Sequence, residues 1–220
     1  MEIDYLPPTT ATIIWLHGLG ADGRDFEELP QWLGRPGTRY VLPDAPVRAV
    51  TLNGGARARA WFDIYGLAPR SPIDWAGLHQ ARATLADLIA TERDRHERPI
   101  VLGGFSQGGA LALYTGLSLP LELSAIVGLS TYLPLVENDS WILPNPPPVF
   151  LAHGADDNVV PLTTAERTAE RLKSGGVQPV WSTWPMGHTL HPEELALLAR
   201  WLGTILPPSA DNSAAGELPA

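Results

Sequence analysis

Val101-Leu102-Gly103-Gly104-Phe105-Ser106-Gln107-Gly108-Gly109-Ala110-Leu111-Ala112-Leu113 decides the reading of this chain. An apolar, strand-like run leads into G-x-S-x-G at residues 104–108, and a helical apolar pattern leaves it. A strand that turns directly into a helix crowds its own backbone, so the residues flanking the turn must be small. The turn holds Ser106 in a strained conformation with its hydroxyl pushed outward, which suits a nucleophile. A serine in a glycine-rich turn is the plain alternative, and the strand before and the helix after favour the nucleophile.

Outward from this elbow, apolar β-branched runs alternate with helical patterns. Strands are expected at 12–16, 39–42, 99–105, 125–129, 149–152 and 180–184. Helices are expected at 22–33, from Asp74 as N-cap to about 96, at 108–119, at 161–174 and from Pro192 to near 202. Trp75, Leu78, Leu85, Leu88 and Ile89 share one helical face. Strands spaced by helices predict an α/β fold, with a mostly parallel sheet covered on both faces. Two stretches break the rhythm: a long Pro/Gly/Arg-rich loop at 43–73 and a proline-rich excursion at 137–148. Loops this long are usually functional or disordered. Residues 1–206 read as a single domain, and 207–220, rich in Pro, Ser and Ala, as a disordered tail.

Composition narrows the function. The 220 residues suffice for one sizeable core. Fifteen basic against 24 acidic residues give a net charge of −9. With no basic run, nucleic acid and anionic membranes are poor partners. The absence of cysteine excludes thiolate nucleophiles, disulfides and thiolate metal sites. No metal-ligand cluster or cofactor motif appears. The acidic start, Met1-Glu2-Ile3-Asp4-Tyr5, does not read as a signal peptide, and no run reaches membrane-spanning length. A cytoplasmic location is the resulting expectation.

A serine hydroxyl needs a base, an orienting acid and an oxyanion hole. Both side-chain partners follow Ser106 at the ends of later strands, in the order acid then histidine. His153-Gly154-Ala155-Asp156-Asp157-Asn158-Val159-Val160-Pro161 offers two adjacent carboxylates, of which Asp157 is favoured and Asp156 reads as a turn residue. Pro185-Met186-Gly187-His188 supplies the base. His191, directly before Pro192, reads as a helix-start residue, His79 and His96 as solvated or helix-end residues, and His153 as a shaper of the acid loop. The oxyanion hole needs two N–H groups aimed at one point. Gln107 offers one; His17-Gly18-Leu19-Gly20 offers the other, with Leu19 as donor and His17 packed beneath. A phosphate loop is disfavoured there, since neither G-x-x-x-x-G-K-S/T nor G-x-G-x-x-G is present.

Several segments together resemble a known family: 17–23, 59–64, 104–109, Gly128-Leu129-Ser130-Thr131-Tyr132-Leu133-Pro134 and 185–188. They are similar to the acyl-protein thioesterase, lysophospholipase and carboxylesterase family of small α/β-hydrolases, in order and without large gaps from about 12 to 202. The resemblance implies an α/β-hydrolase fold without a large cap domain. It also implies a Ser106–Asp157–His188 triad, an oxyanion hole at Leu19 and Gln107, and Trp61 near the acyl site; Leu67 and Tyr132 are further expected substrate contacts. Cleavage of carboxylic esters or acyl thioesters without a cofactor, and often a homodimer, follow from it. Alternatives of other kinds are a lysophospholipase, an amidase or peptidase of the same fold, and a non-catalytic binding protein built on it. The loop residues Trp61, Phe62, Ile64, Tyr65, Leu67 and Ile73, with Trp141, Ile142 and Leu143, are expected either to form an apolar acyl groove beside Ser106 or to pack the loops down.

Overall fold

The apolar runs become a seven-stranded sheet in the computed structural model, which describes residues 1–3, 10–35, 37–66, 71–95, 97–134 and 142–208. The strands are β1 (Glu2–Ile3), β2 (Ala11–Leu16), β3 (Thr38–Val41), β6 (Ile100–Phe105), β7 (Ala125–Leu129), β8 (Val149–Gly154) and β9 (Val180–Trp184), laid out in the order β1-β3-β2-β6-β7-β8-β9. All neighbours pair in parallel except the edge strand β1, which runs antiparallel to β3. Burial explains the continuous apolar sequences: β2, β6, β7 and β8 are covered on both faces. Helices α2 (Trp75–Arg95), α3 (Gln107–Ser118) and α4 (Leu162–Ser174) contribute to one core, around Leu78, Leu111, Leu113 and Leu172. Helices α1 (Leu29–Leu33) and α5 (Pro192–Ile205) close the other, around Trp15, Phe150 and Leu198.

The six long strands and four of the five expected helices lie where periodicity put them, within a few residues. Asp74 caps α2, its carboxylate accepting the Gly77 N–H at 2.9 Å. The expected helix at 22–33 is corrected to a 3-10 turn, Gly23–Phe26, followed by the separate α1. Pro30 is the reason: inside one continuous helix it would lack an N–H and clash with the carbonyl four residues earlier, whereas near the start of α1 it costs nothing.

The 43–73 stretch is also corrected. It holds a hairpin of β4 (Val47–Ala49) and β5 (Arg57–Arg59), and a bridge joins Ile64 to Ile73. Gly54 and Gly55 sit at φ 64° and 84° in the hairpin connection, which only glycine adopts without strain. Among the described residues no helix is long and apolar enough to cross a membrane. Residues 209–220, Leu67, His96 and Trp141 lie outside the described residues.

Candidate active site

Ser106 stands alone between β6 and α3, at φ 54° and ψ −120°. For a non-glycine residue this costs on the order of 1–3 kcal/mol and persists only where the surroundings over-determine it. They do here. The Ser106 N–H donates to the Leu129 carbonyl at 3.0 Å, and its own carbonyl accepts from the Ala110 N–H at 3.0 Å and the Thr131 hydroxyl at 2.6 Å. The flanking glycines are required by contact. A Cβ on Gly104 would meet the Gly108 backbone at 2.5 Å, and one on Gly108 would strike the Leu16 carbonyl.

His188 Nε2 lies 3.0 Å from Ser106 Oγ, and His188 Nδ1 lies 2.7 Å from Asp157 Oδ2. The carboxylate can only accept, so Nδ1 carries the proton and Nε2 is left to accept the Ser106 hydroxyl proton. The other Asp157 oxygen accepts the N–H groups of Val159 and Val160, each at 2.8 Å. Asp157 is buried, while its neighbour Asp156 is exposed. The loops that carry Asp157 and His188 are tied directly, because the Ala155 N–H donates to the Trp184 carbonyl and the Asp156 N–H to the Met186 carbonyl. Phe105 packs against the His188 ring at 4.8 Å between centroids.

The other histidines have structural partners. His153, buried under the acid loop, bonds the Val160 carbonyl at 2.7 Å and lies 3.4 Å from Asp157 Oδ2; burial pushes its pKa down. His191 caps α5 with its ring, and Glu194 completes the capping box. His17 is fully buried. Its Nε2 accepts the Ala45 N–H at 3.0 Å, which leaves Nδ1–H to donate to the Gly18 carbonyl at 2.7 Å. His79 is exposed and bonds the Tyr114 hydroxyl.

The 17–20 loop reaches the serine: a Cβ on Gly18 would lie 3.4 Å from Ser106 Cβ. Gln107 is the first residue of α3, where an N–H has no intrahelical acceptor. Among the described residues, neither the Leu19 nor the Gln107 N–H is spent on an internal acceptor. Leu19 and Tyr132 are half-buried, on the β2 and β7 sides of Ser106, and burial pushes the Tyr132 phenol up to about 12. Trp61 is buried against the core, its indole N–H donating to the His17 carbonyl at 2.8 Å. Phe62 and Ile64 belong to the same core.

For Ile142 and Leu143 the second excursion takes the packing alternative. The Leu143 N–H donates to the Leu117 carbonyl, near the far end of α3. At about 1.5 Å of rise per residue, that end is roughly 16 Å from the serine. Ile142 lies beside Gly175, past the end of α4. Ile142 and Leu143 therefore do not border Ser106. The prolines that flank this stretch gave its sequence no periodicity from which its direction was readable.

Sequence reading missed the supporting hydroxyls and one amide. Ser130 is itself at φ 46°, and its hydroxyl donates to the Thr189 carbonyl at 3.3 Å, holding the residue after His188. The Gln107 side chain is buried and bonded at both ends to 61–62. Among the described residues no group of three or more His, Asp or Glu side chains is placed to hold a metal ion.

The model of the phospholipase/carboxylesterase family matches residues 6–206. The chain belongs to that family. Its membership makes the protein a hydrolase of ester or thioester bonds. It is 37% identical to acyl-protein thioesterase 1 of Neurospora crassa, across 93% of this chain and 90% of that one. Among solved structures, Zea mays acyl-protein thioesterase 2 superposes with a TM-score of 0.82 at 32% identity, covering 93% of this chain and 97% of the other. Esterase PE8 superposes at 0.81 with 31% identity, covering 94% and 98%. The mostly parallel sheet is that of the α/β-hydrolases, and among the described residues no large cap domain is added to it.

Proposed function

We propose that this family member is a serine hydrolase of carboxylic esters and acyl thioesters, with Ser106 as nucleophile, His188 as base and Asp157 as orienting acid. The observation that carries the reading is the unbroken hydrogen-bonded chain from Ser106 Oγ through both His188 nitrogens to the buried Asp157. His188 Nε2 takes the hydroxyl proton as Ser106 Oγ attacks the acyl carbon. The carbonyl oxygen gains negative charge and accepts hydrogen bonds from the Leu19 and Gln107 N–H groups. The intermediate collapses, and His188 returns the proton to the departing alkoxide or thiolate. Water then repeats the sequence on the acyl-enzyme, releasing the acid and restoring Ser106. Asp157 keeps the imidazole in the correct tautomer and stabilises it when charged.

The acyl chain is assigned to apolar surface between Leu19 and Tyr132, which flank Ser106 from the neighbouring strands β2 and β7. Each methylene buried there contributes up to about 0.8 kcal/mol. A series of p-nitrophenyl esters, run beside matched acyl thioesters, tests this. The kcat/KM is expected to climb several-fold from acetyl to hexanoyl or octanoyl, with both leaving groups cleaved. A profile that peaks at acetyl and falls steadily would reject the groove and leave a small-ester esterase. Active-site titration with a fluorophosphonate separates this reading from a non-catalytic binding protein, because only a competent nucleophile labels.

A further inference from the structure

The two N–H groups assigned to the oxyanion come from distant parts of the chain, and a buried circuit of side chains connects them. From the α3 end, Gln107 Oε1 accepts the Trp61 backbone N–H at 3.0 Å, and Gln107 Nε2 donates to the Phe62 carbonyl at 2.8 Å. Trp61 then turns its indole N–H back to the His17 carbonyl at 2.8 Å. That carbonyl belongs to the peptide leading into Gly18 and Leu19. The His17 ring packs against Trp61, 5.1 Å between centroids and tilted by 40°, and is itself held by the Ala45 N–H. On the far side of Leu19, the Gly20 N–H donates to the Arg59 carbonyl at 2.8 Å.

The three side chains that make the circuit are buried: Gln107 is 1% accessible, Trp61 8% and His17 0%. A glutamine of this kind is expensive to bury unless its amide is bonded, and both of its ends are. Its orientation is fixed by opposite demands, an N–H donor at Trp61 and a carbonyl acceptor at Phe62. An oxyanion hole works because its donors do not reorganise as charge develops. Two donors on separate loops hold that geometry only if the loops are locked to one another.

We propose that the Gln107 side chain and the Trp61 indole form a clamp that sets the separation of the Leu19 and Gln107 N–H groups. Both are positioning residues; neither side chain reaches the reacting atoms. Trp61 on this account serves the acyl site through the oxyanion loop rather than by lining the groove. The inference rests on the oxyanion assignment made above.

The test uses Trp61→Phe, which keeps the ring and deletes the donor, and Gln107→Met, which keeps the length and deletes both bonds. Each is expected to lower kcat by about 10- to 100-fold, short of the roughly 10²- to 10³-fold loss when an oxyanion donor is removed outright. KM for a p-nitrophenyl ester should change less than about twofold, and the pH profile should not move. An alkyl trifluoromethyl ketone, whose adduct with the serine carries an oxyanion, should lose affinity by the same factor as kcat/KM. Both changes break one circuit, so the double variant should lose no more than the worse single one. Retention of kcat within twofold, a loss expressed in KM alone, or independent multiplicative losses would overturn the clamp. If one variant fails to fold, the other decides through its inhibitor affinity and kcat. Ser106→Ala run alongside separates failures: an inactive Ser106→Ala beside normal clamp variants removes only the clamp, whereas an active one removes the reading beneath it.

Discussion

Asp157 and His188 meet at 2.7 Å, Oδ2 to Nδ1, although 31 positions separate them in the chain. The contact exists because β8 and β9 are adjacent parallel strands and both residues sit just beyond their C-terminal ends. Side chains at such ends converge outside the sheet, where α/β folds place their chemistry.

That contact separates the two neighbouring carboxylates. Asp157→Asn should lower kcat on the order of 10⁴-fold, because an amide cannot hold the imidazole in the required tautomer. Asp156→Asn, at an exposed position, should cost a few-fold at most. Steady-state kinetics of both variants check this, and a reversed order would move the acid to Asp156.

Most of the scaffold was legible because burial leaves a mark on sequence. A strand covered on both faces reads as a near-continuous apolar run, as in Ala11–Leu16, interrupted by Thr12, and Ala125–Leu129. The elbow glycines, the meeting of Asp157 with His188 beyond two later strands, and the capping role of His191 were legible for the same kind of reason: each position admits few residue types. What stayed hidden is set by tertiary contact. The β4–β5 hairpin has strands of only three residues, Val47-Arg48-Ala49 and Arg57-Ala58-Arg59, too short for their alternation to stand out from the surrounding loop. The Gln107 amide points toward residues 61–62, which no local pattern connects to it. Leu143 folds back to the end of α3 rather than toward Ser106, which the proline-rich sequence around it does not encode.

Glu194 makes stability depend on pH. It is fully buried and one oxygen accepts the His191 N–H, but the other has no partner. Burial pushes its pKa up to about 7. The folded protein therefore holds a proton that the unfolded chain releases near pH 4.5. That contribution is fully present below about 4.5 and is lost as pH rises through about 7, amounting to roughly 3 kcal/mol. Glu194→Gln keeps the capping box and cannot ionise. Urea denaturation at pH 5 and pH 8 should show the wild type losing stability relative to Glu194→Gln on going up in pH. Parallel pH dependences in the two proteins would contradict the assignment.

Two glycines predict opposite changes in stability. Gly108→Ala drives a Cβ into the Leu16 carbonyl at the base of the site, and should cost about 1–3 kcal/mol or more together with most of the activity. Gly203→Ala, on the exposed side of α5, meets nothing within 4 Å. It should stabilise by about 0.5–1 kcal/mol through helix propensity and leave turnover unchanged. Denaturant midpoints of the two variants check both signs.

If Ser106 is the nucleophile, the turnover of Ser106→Ala on p-nitrophenyl butyrate reports it without any intervening assumption. The hydroxyl bonds His188 alone among the described side chains, so its removal should leave folding intact. The account predicts a fall in kcat of at least roughly 10⁴-fold with an unchanged melting temperature. A variant that folds normally and retains a tenth of the wild-type turnover would contradict it.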